Sequence, residues 1–151
     1  MFRRCCAAKV ALIAILASSC SAPPPEVVEA EGLLLLEGKP LPKARVRFCP
    51  EPGVGADYTA EGVTDDQGLF TLTCHGQPGA VAGENHVVVM EDAMPPGLTK
   101  SSARAKLTAY LAGLPNRPIP AHYSNAAETP LKIEVVAGRK FHIIKLKRLP
   151  R

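Results

Sequence analysis

The sequence predicts an all-β protein, a sandwich of two packed antiparallel sheets, on three observations. Short runs alternate apolar and polar residues, turn-forming clusters separate those runs at close intervals, and 12 Gly and 15 Pro are spread through 151 residues. Strict alternation sends every second side chain to one face of a strand, so a run with one apolar face needs a second layer to cover it. Gly and Pro at this density weaken helices and supply the turns that short strands require.

The elements follow in order. Gly32–Glu37 contains Leu33-Leu34-Leu35-Leu36 and is apolar on both faces. Only one of those faces can line a sandwich core. The other is expected to pack under a helix or the 91–120 connection, or to meet a partner. Glu37-Gly38-Lys39-Pro40-Leu41-Pro42 is a turn cluster. In Ala44-Arg45-Val46-Arg47-Phe48 the residues Ala44, Val46 and Phe48 share a face, and Pro50 and Pro52 end the run. Tyr58–Thr64 reads as the next strand. Asp65-Asp66-Gln67-Gly68 is a turn, because Asp bonds its own backbone and Gly supplies positive φ. It lacks the repeated acidic ligands and distant Glu of a calcium loop. Leu69–Thr73 alternates with Phe70 and Leu72 inward, and Asn85–Met90 puts Val87 and Val89 in phase. Leu131–Val136, a turn at Ala137-Gly138-Arg139-Lys140 and Phe141–Arg148 read as a final hairpin. One stretch breaks the pattern. Leu107, Tyr110, Leu111 and Leu114 recur at helical spacing, so one short inserted helix is expected around 101–112 and laid on the sandwich. Ser101 or Ser102 would cap its start, and Gly113 with Pro115 would end it.

The N-terminus carries an address. Arg3 and Arg4 precede an apolar run, Val10-Ala11-Leu12-Ile13-Ala14-Ile15-Leu16, and Ala17-Ser18-Ser19-Cys20 closes it. That order reads as a secretory signal. The run is far short of the ~20 residues that span a bilayer. It looks like a bacterial lipoprotein signal, with 1–19 removed and lipid placed on Cys20, although Ala17 stands where Leu would be strongest and Leu16 lies one residue further back. Ordinary cleaved secretion and an uncleaved anchor are the alternatives. Residues 20–30, with Pro23-Pro24-Pro25, would form a stiff tether, and 31–149 the folded domain. The membrane is then a partner through the lipid on Cys20, and the expected location is the cell envelope, facing the periplasm or the exterior.

Processing changes the charge. The formal net charge is +4, but Arg3, Arg4 and Lys9 lie in the signal, where there is no acid. Fifteen of the 18 basic residues then face 14 acidic ones, which leaves no broad basic field for nucleic acid. With 5% aromatic residues and no Trp, stacking platforms for bases or sugars are also poorly supplied.

Several segments together resemble the small transthyretin-like, carboxypeptidase regulatory-like lipoproteins of some bacteria. They are Gly38-Lys39-Pro40-Leu41-Pro42, then Ala44, Val46, Phe48 and Pro50 at every second position, and Thr64-Asp65-Asp66-Gln67-Gly68 with Phe70 and Leu72. The segment 78–84 before a Val-rich strand, Ile119-Pro120-Ala121-His122-Tyr123 and the closing Pro130-Leu131, Gly138 and Leu146 complete the set. The resemblance covers nearly all of the chain after Cys20. It implies a seven-stranded, prealbumin-like (Ig-like) antiparallel β-sandwich with no catalytic residues and no cofactor of its own. A transthyretin-like fold also raises hydrolysis of a cyclic urate-derived ureide. Enzymes of that kind end in Tyr-Arg-Gly-Ser, and this chain ends Lys147-Arg148-Leu149-Pro150-Arg151.

Candidate site residues are few. Cys49 and Cys74 are the remaining thiols, and an exported protein favours pairing them. Closing about 25 residues would stabilise by roughly 3 kcal/mol in the chain-entropy account. Phase opposes it, since Cys74 is in register with inward Phe70 and Leu72 while Cys49 is out of register with Val46 and Phe48. The disulfide stays open at this point. His75, His86, His122 and His142 show no His-x-His spacing, although Cys74-His75 offers adjacent donors. His142 is in phase with Ile144 and Leu146 and reads as a core histidine. No Gly-x-Ser-x-Gly, Walker loop or His-Glu-x-x-His occurs. Arg139, Lys140, Lys145, Lys147, Arg148 and Arg151 cluster at the C-terminus. They could meet anionic headgroups or an acidic polymer, and a solvated edge strand guarded by cations is the simpler reading.

These observations favour a non-catalytic, lipid-anchored envelope module that is structural or binds a protein partner. The alternative is a periplasmic carrier of a small molecule or glycan, whose pocket would be built on Tyr110, His122 and Tyr123.

Overall fold

The computed structural model describes residues 23–92 and 103–149. Cys20, the signal, the helix-capping serines and Arg151 lie outside the described residues. The chain is an all-β sandwich with one helix. Its strands are β1 (Val27–Val28), β2 (Glu31–Leu36), β3 (Lys39–Pro40), β4 (Ala44–Pro50), β5 (Ala60–Val63) and β6 (Leu69–Thr71). They continue with β7 (Thr73–Cys74), β8 (Gln77–Pro78), β9 (Ala80–Val81), β10 (Gly83–Glu91), β11 (Lys132–Val135) and β12 (Phe141–Leu146). The helix α1 spans Ala103–Gly113.

One sheet has six strands in the order β11-β10-β4-β5-β7-β8. The second has β12, β2 and β3 side by side, with β6 also on β2, and a small β1–β9 pair closes one end. The inward rows are those that alternation assigns, except in β2, whose consecutive leucines leave the phase open. Leu34 and Leu36 of β2, Phe70 of β6 and Ile144 and Leu146 of β12 face Val46 and Phe48 of β4, Val87 and Val89 of β10, and Leu72. Phe48 is the centre of this core, with Phe70 at 6.4 Å between ring centroids and His142 edge-on at 6.1 Å.

The turns rest on the residues that the sequence marks. Glu37 and Gly38 both have positive φ, 53° and 76°, as a two-residue hairpin loop between β2 and β3 requires. Asp65 Oδ1 accepts from the amides of Gln67 (2.8 Å) and Leu69 (2.9 Å), and Gly68 completes the turn at φ 79°.

The structure differs from expectation in four places. First, Leu69–Thr73 is not one strand in one sheet. β6 pairs with β2 and β7 with β5, so the chain crosses between sheets at Leu72 while keeping its inward phase. Second, β4 runs through Pro50, which sits at the end of the ladder opposite Asn85. Third, the closing segments do not form a hairpin. β11 pairs with β10, whereas β12 crosses to the other sheet and lies parallel to β2, Phe141 opposite Glu31 and Leu146 opposite Leu36. That pair departs from a purely antiparallel sandwich. Its physical cause is the apolar content of β2. Leu34 and Leu36 need inward neighbours in their own sheet, and β12 supplies Ile144 and Leu146. Fourth, α1 is not broadly laid on a sheet. Leu107, Leu111 and Leu114 are half-buried, and Tyr110 is 40% exposed.

Candidate functional site

The outer faces of the two sheets are chemically unlike. Outward side chains of the six-stranded sheet are charged and paired. Arg45 Nη2 lies 2.8 Å from Asp92 Oδ1, and Arg47 Nε lies 3.1 Å from Glu61 Oε2. Such exposed ladders contribute little individually, but they keep a face hydrated.

The outer face of the other sheet is apolar. Leu33 of β2 stands opposite Ile143 on one side and Leu69 on the other. Ile143 is 55% exposed, Phe141 47% and Leu69 39%, Leu33 and Leu35 are half-buried, and Val63 of β5 in the six-stranded sheet, 41% exposed, adjoins them. A concavity of about 550 Å³ opens here between Phe141, Leu69, Val63 and Glu31. Of the expected covers for this second Leu face, the 115–118 segment goes elsewhere. Asn116 Nδ2 donates to Leu36 O (2.8 Å) and Lys39 O (3.1 Å), and Arg117 Nη2 donates to Pro42 O (2.6 Å). These bonds cap the end of β2 and its hairpin. They do not cover the face.

A second concavity, about 710 Å³, lies beside α1 between Leu111, Leu114, Asn116, Arg117, Arg148 and Glu91. Its polar groups are already engaged. Arg117, whose side chain is 5% exposed, places Nε 2.8 Å from Glu91 Oε2, and Arg148 Nη2 reaches Asn116 Oδ1 at 3.4 Å. Asn116 and Arg117 were not among the residues that sequence reasoning singled out. Their signal was weak: an Asn-Arg-Pro-x-Pro stretch after a helix looks like an ordinary loop.

The expected pocket nucleus does not form. Tyr110 is exposed on α1, and His122 stacks on Tyr123 with centroids 4.0 Å apart. Tyr123 is buried because its hydroxyl donates to Lys147 O (3.1 Å) and accepts from Lys147 N (3.0 Å), which fixes the chain just beyond β12. None of the three lines the concavity beside α1.

Cys49 and Cys74 are free thiols. Cys49 is on β4 and Cys74 on β7, with β5 between them, and they take opposite phases. Two strand spacings, about 9.6 Å, exceed the Cα separation that a disulfide spans. Burial pushes both thiols above their ordinary pKa. At Cys49 a hydrogen bond with Thr59 and the Arg47 charge oppose that shift. Cys74 Sγ donates to Tyr58 O at 3.3 Å. His75, next to it, turns outward in the β7–β8 loop at φ 49° and rests on Tyr58. Cys74 and His75 therefore do not converge as ligands.

His142 is buried beside Phe48, and its Nε2 has no partner. Desolvation and then the Arg139 charge lower its pKa, against a backbone hydrogen bond at Arg139 that raises it. His86 lies across from Cys49 and Lys132 on the charged sheet. Glu51, Glu84 and His86 each bring one donor atom within 4.8 Å of the others. Lys132 already occupies this cluster. Its ammonium meets Glu84, lies 3.9 Å from Glu51, and lowers the Glu84 pKa. The arrangement is an exposed ion-pair network gathered on Lys132.

Comparison with family models, curated proteins and solved structures found no match. No helix among the described residues is long and apolar enough to cross a membrane.

Proposed function

We propose that this chain is a non-catalytic, lipid-anchored envelope β-sandwich of the transthyretin-like kind, whose role is to bind another envelope protein. The observation that carries the reading is the apolar row Ile143–Leu33–Leu69 on a sheet face with no layer over it among the described residues. Apolar residues gathered on one exposed face, opposite a face that is charged and paired, mark a surface for association. The sequence before Pro23 supports the address, with Cys20 as the acylated residue; the tether is shorter than 20–30, because β1 pairs Val27–Val28 with β9 and Ala30 is buried in the core.

Two measurements test it. Mass spectrometry of the native N-terminus should find a mature chain beginning at Cys20 with acyl mass added, partitioning into detergent. An unmodified, freely diffusing chain removes the anchor. A photo-crosslinker placed at Leu69 in membranes should trap a discrete partner that Leu33→Asp abolishes while the melting temperature is kept. Trapping of nothing but lipid removes the interaction role.

The second reading, a small-molecule or glycan carrier, is favoured by the concavity beside α1, whose volume suits a ligand of modest size. Thermal shifts that follow an Arg148→Ala substitution would support it over the first.

A further inference from the structure

β12 is an edge strand, and half of it is unguarded. Glu31 N donates to Lys140 O (2.7 Å) and Glu37 N to Leu146 O (3.0 Å), so β2 bonds the even-numbered residues of this segment. Alternation then turns the N–H and C=O of Phe141, Ile143 and Lys145 away from β2, and β12 pairs with no other strand among the described residues. Those same three residues carry the outward side chains. Natural edges are blunted by charge, by Pro or by a bulge. Here Lys145 is such a guard, while Phe141 and Ile143 are among the most exposed apolar residues described. The sequence of β12 and its flanks is one-signed, with Glu31 opposite Phe141 and Glu29 3.8 Å from Lys140 as the acidic neighbours at its start. Arg139, Lys140, Lys145, Lys147 and Arg148 lie in or beside β12, and no acidic residue follows Glu134.

We propose that the free edge of β12 receives an extended, acidic peptide segment of a partner protein as an added strand. This rests on the interaction reading above and names the chemistry of the partner. The orphan N–H and C=O groups of Phe141, Ile143 and Lys145 supply the main-chain ladder. Apolar side chains of the peptide continue the Ile143–Leu33–Leu69 row, and its carboxylates meet the flanking cations. A second copy of this chain would set these cations against their own kind. A lipid surface would satisfy the charge and leave the strand-spaced backbone groups unpaired.

The test uses a fluorescein-labelled octapeptide alternating Val and Glu, titrated into the protein and followed by anisotropy, with amide exchange read by NMR. Saturable binding that weakens with salt, together with slowed exchange at the amides of Phe141, Ile143 and Lys145, is expected. Ile143→Pro removes one outward N–H without touching the β2 ladder, and Ile143→Lys adds a guard. Each should weaken binding at least tenfold with an unchanged melting curve. Equal binding by both variants overturns the proposal. So does equal affinity for an all-Glu octapeptide, which is ion exchange alone. Dimerisation that protects these amides and excludes the peptide overturns it, as does binding only to anionic vesicles. If the partner trapped at Leu69 is lost with Leu33→Asp but kept with Ile143→Pro, the edge assignment falls and the interaction reading stands.

Discussion

Gly32 shows how a single position can be fixed by its neighbours. A Cβ there would strike the carbonyl of His142 in the adjacent strand and lie 2.8 Å from the Phe70 ring. The residue is glycine so that β12 and Phe70 can close over β2. Gly32→Ala is expected to cost about 1–3 kcal/mol, as other overpacked core sites do, measured by urea denaturation. His142 brings a pH dependence. The unfolded imidazole titrates near 6.5, and the folded one is held lower by burial and by Arg139. Below about pH 6.5 the unfolded state therefore binds more protons, and the fold loses stability as pH falls towards the folded pKa. His142→Leu should shrink the stability gap between pH 7.5 and pH 5 in denaturant titrations. The thiols give a third check. Cys49, half-buried, should react slowly with a thiol reagent at neutral pH, and Cys74, fully buried with a raised pKa, only on unfolding.

At the scale of elements, the loop after α1 acts as a clasp. Asn116, at φ 59°, and Arg117 together bond five carbonyls of the β2–β3 hairpin and its exit, and Arg117 is paired with Glu91 at the end of β10. The clasp joins the two sheets at one end of the sandwich. Arg117→Met leaves Glu91 without its partner and should lower stability by about 2–3 kcal/mol, read as a shift in the chemical denaturation midpoint. Thr64 holds the neighbouring corner, its hydroxyl donating to Leu41 O (2.7 Å) and accepting from Ala44 N (2.9 Å). Strand phase was legible along β4, β6 and β10, because period-two alternation is a local property, and not along β2, where four consecutive leucines show none. The partner of β12 was not. A hairpin with β11 and a crossover to β2 place the same residues inward, and the sequence pattern of β12 is identical in both.

Across the whole molecule, the division into a charged, ion-paired face and an apolar face is what gives the fold a direction. Arg45, Arg47 and Glu61 are outward on β4 and β5, and Leu33, Leu69 and Ile143 outward on the opposite sheet. With the tether proposed at Cys20, a one-sided surface of this kind would orient the proposed partner relative to the bilayer. The candidate site was half legible. Four consecutive leucines announced a strand with more apolar surface than one core can use, and that surplus is the surface now proposed for binding. The residues that join it, Ile143 from β12 and Leu69 from β6, are distant in sequence and met only through sheet order. The same limit applied to Tyr123. Its aromatic character was visible, but the hydroxyl's attachment to Lys147 depends on where the 121–124 turn lands.

The sequence by itself determined the class of fold, the inward rows outside β2, the turn at Asp65–Gly68 and the core placement of His142, since each follows from alternation or from the conformational freedom of a single residue. Only the tertiary structure decided which strand lies beside β2, that Cys49 and Cys74 stay apart, and which apolar face is left uncovered. Those outcomes depend on pairing between residues far apart in the chain. Local preference is the same whichever neighbour is chosen, and the choice is made by how the whole apolar surface is most fully buried.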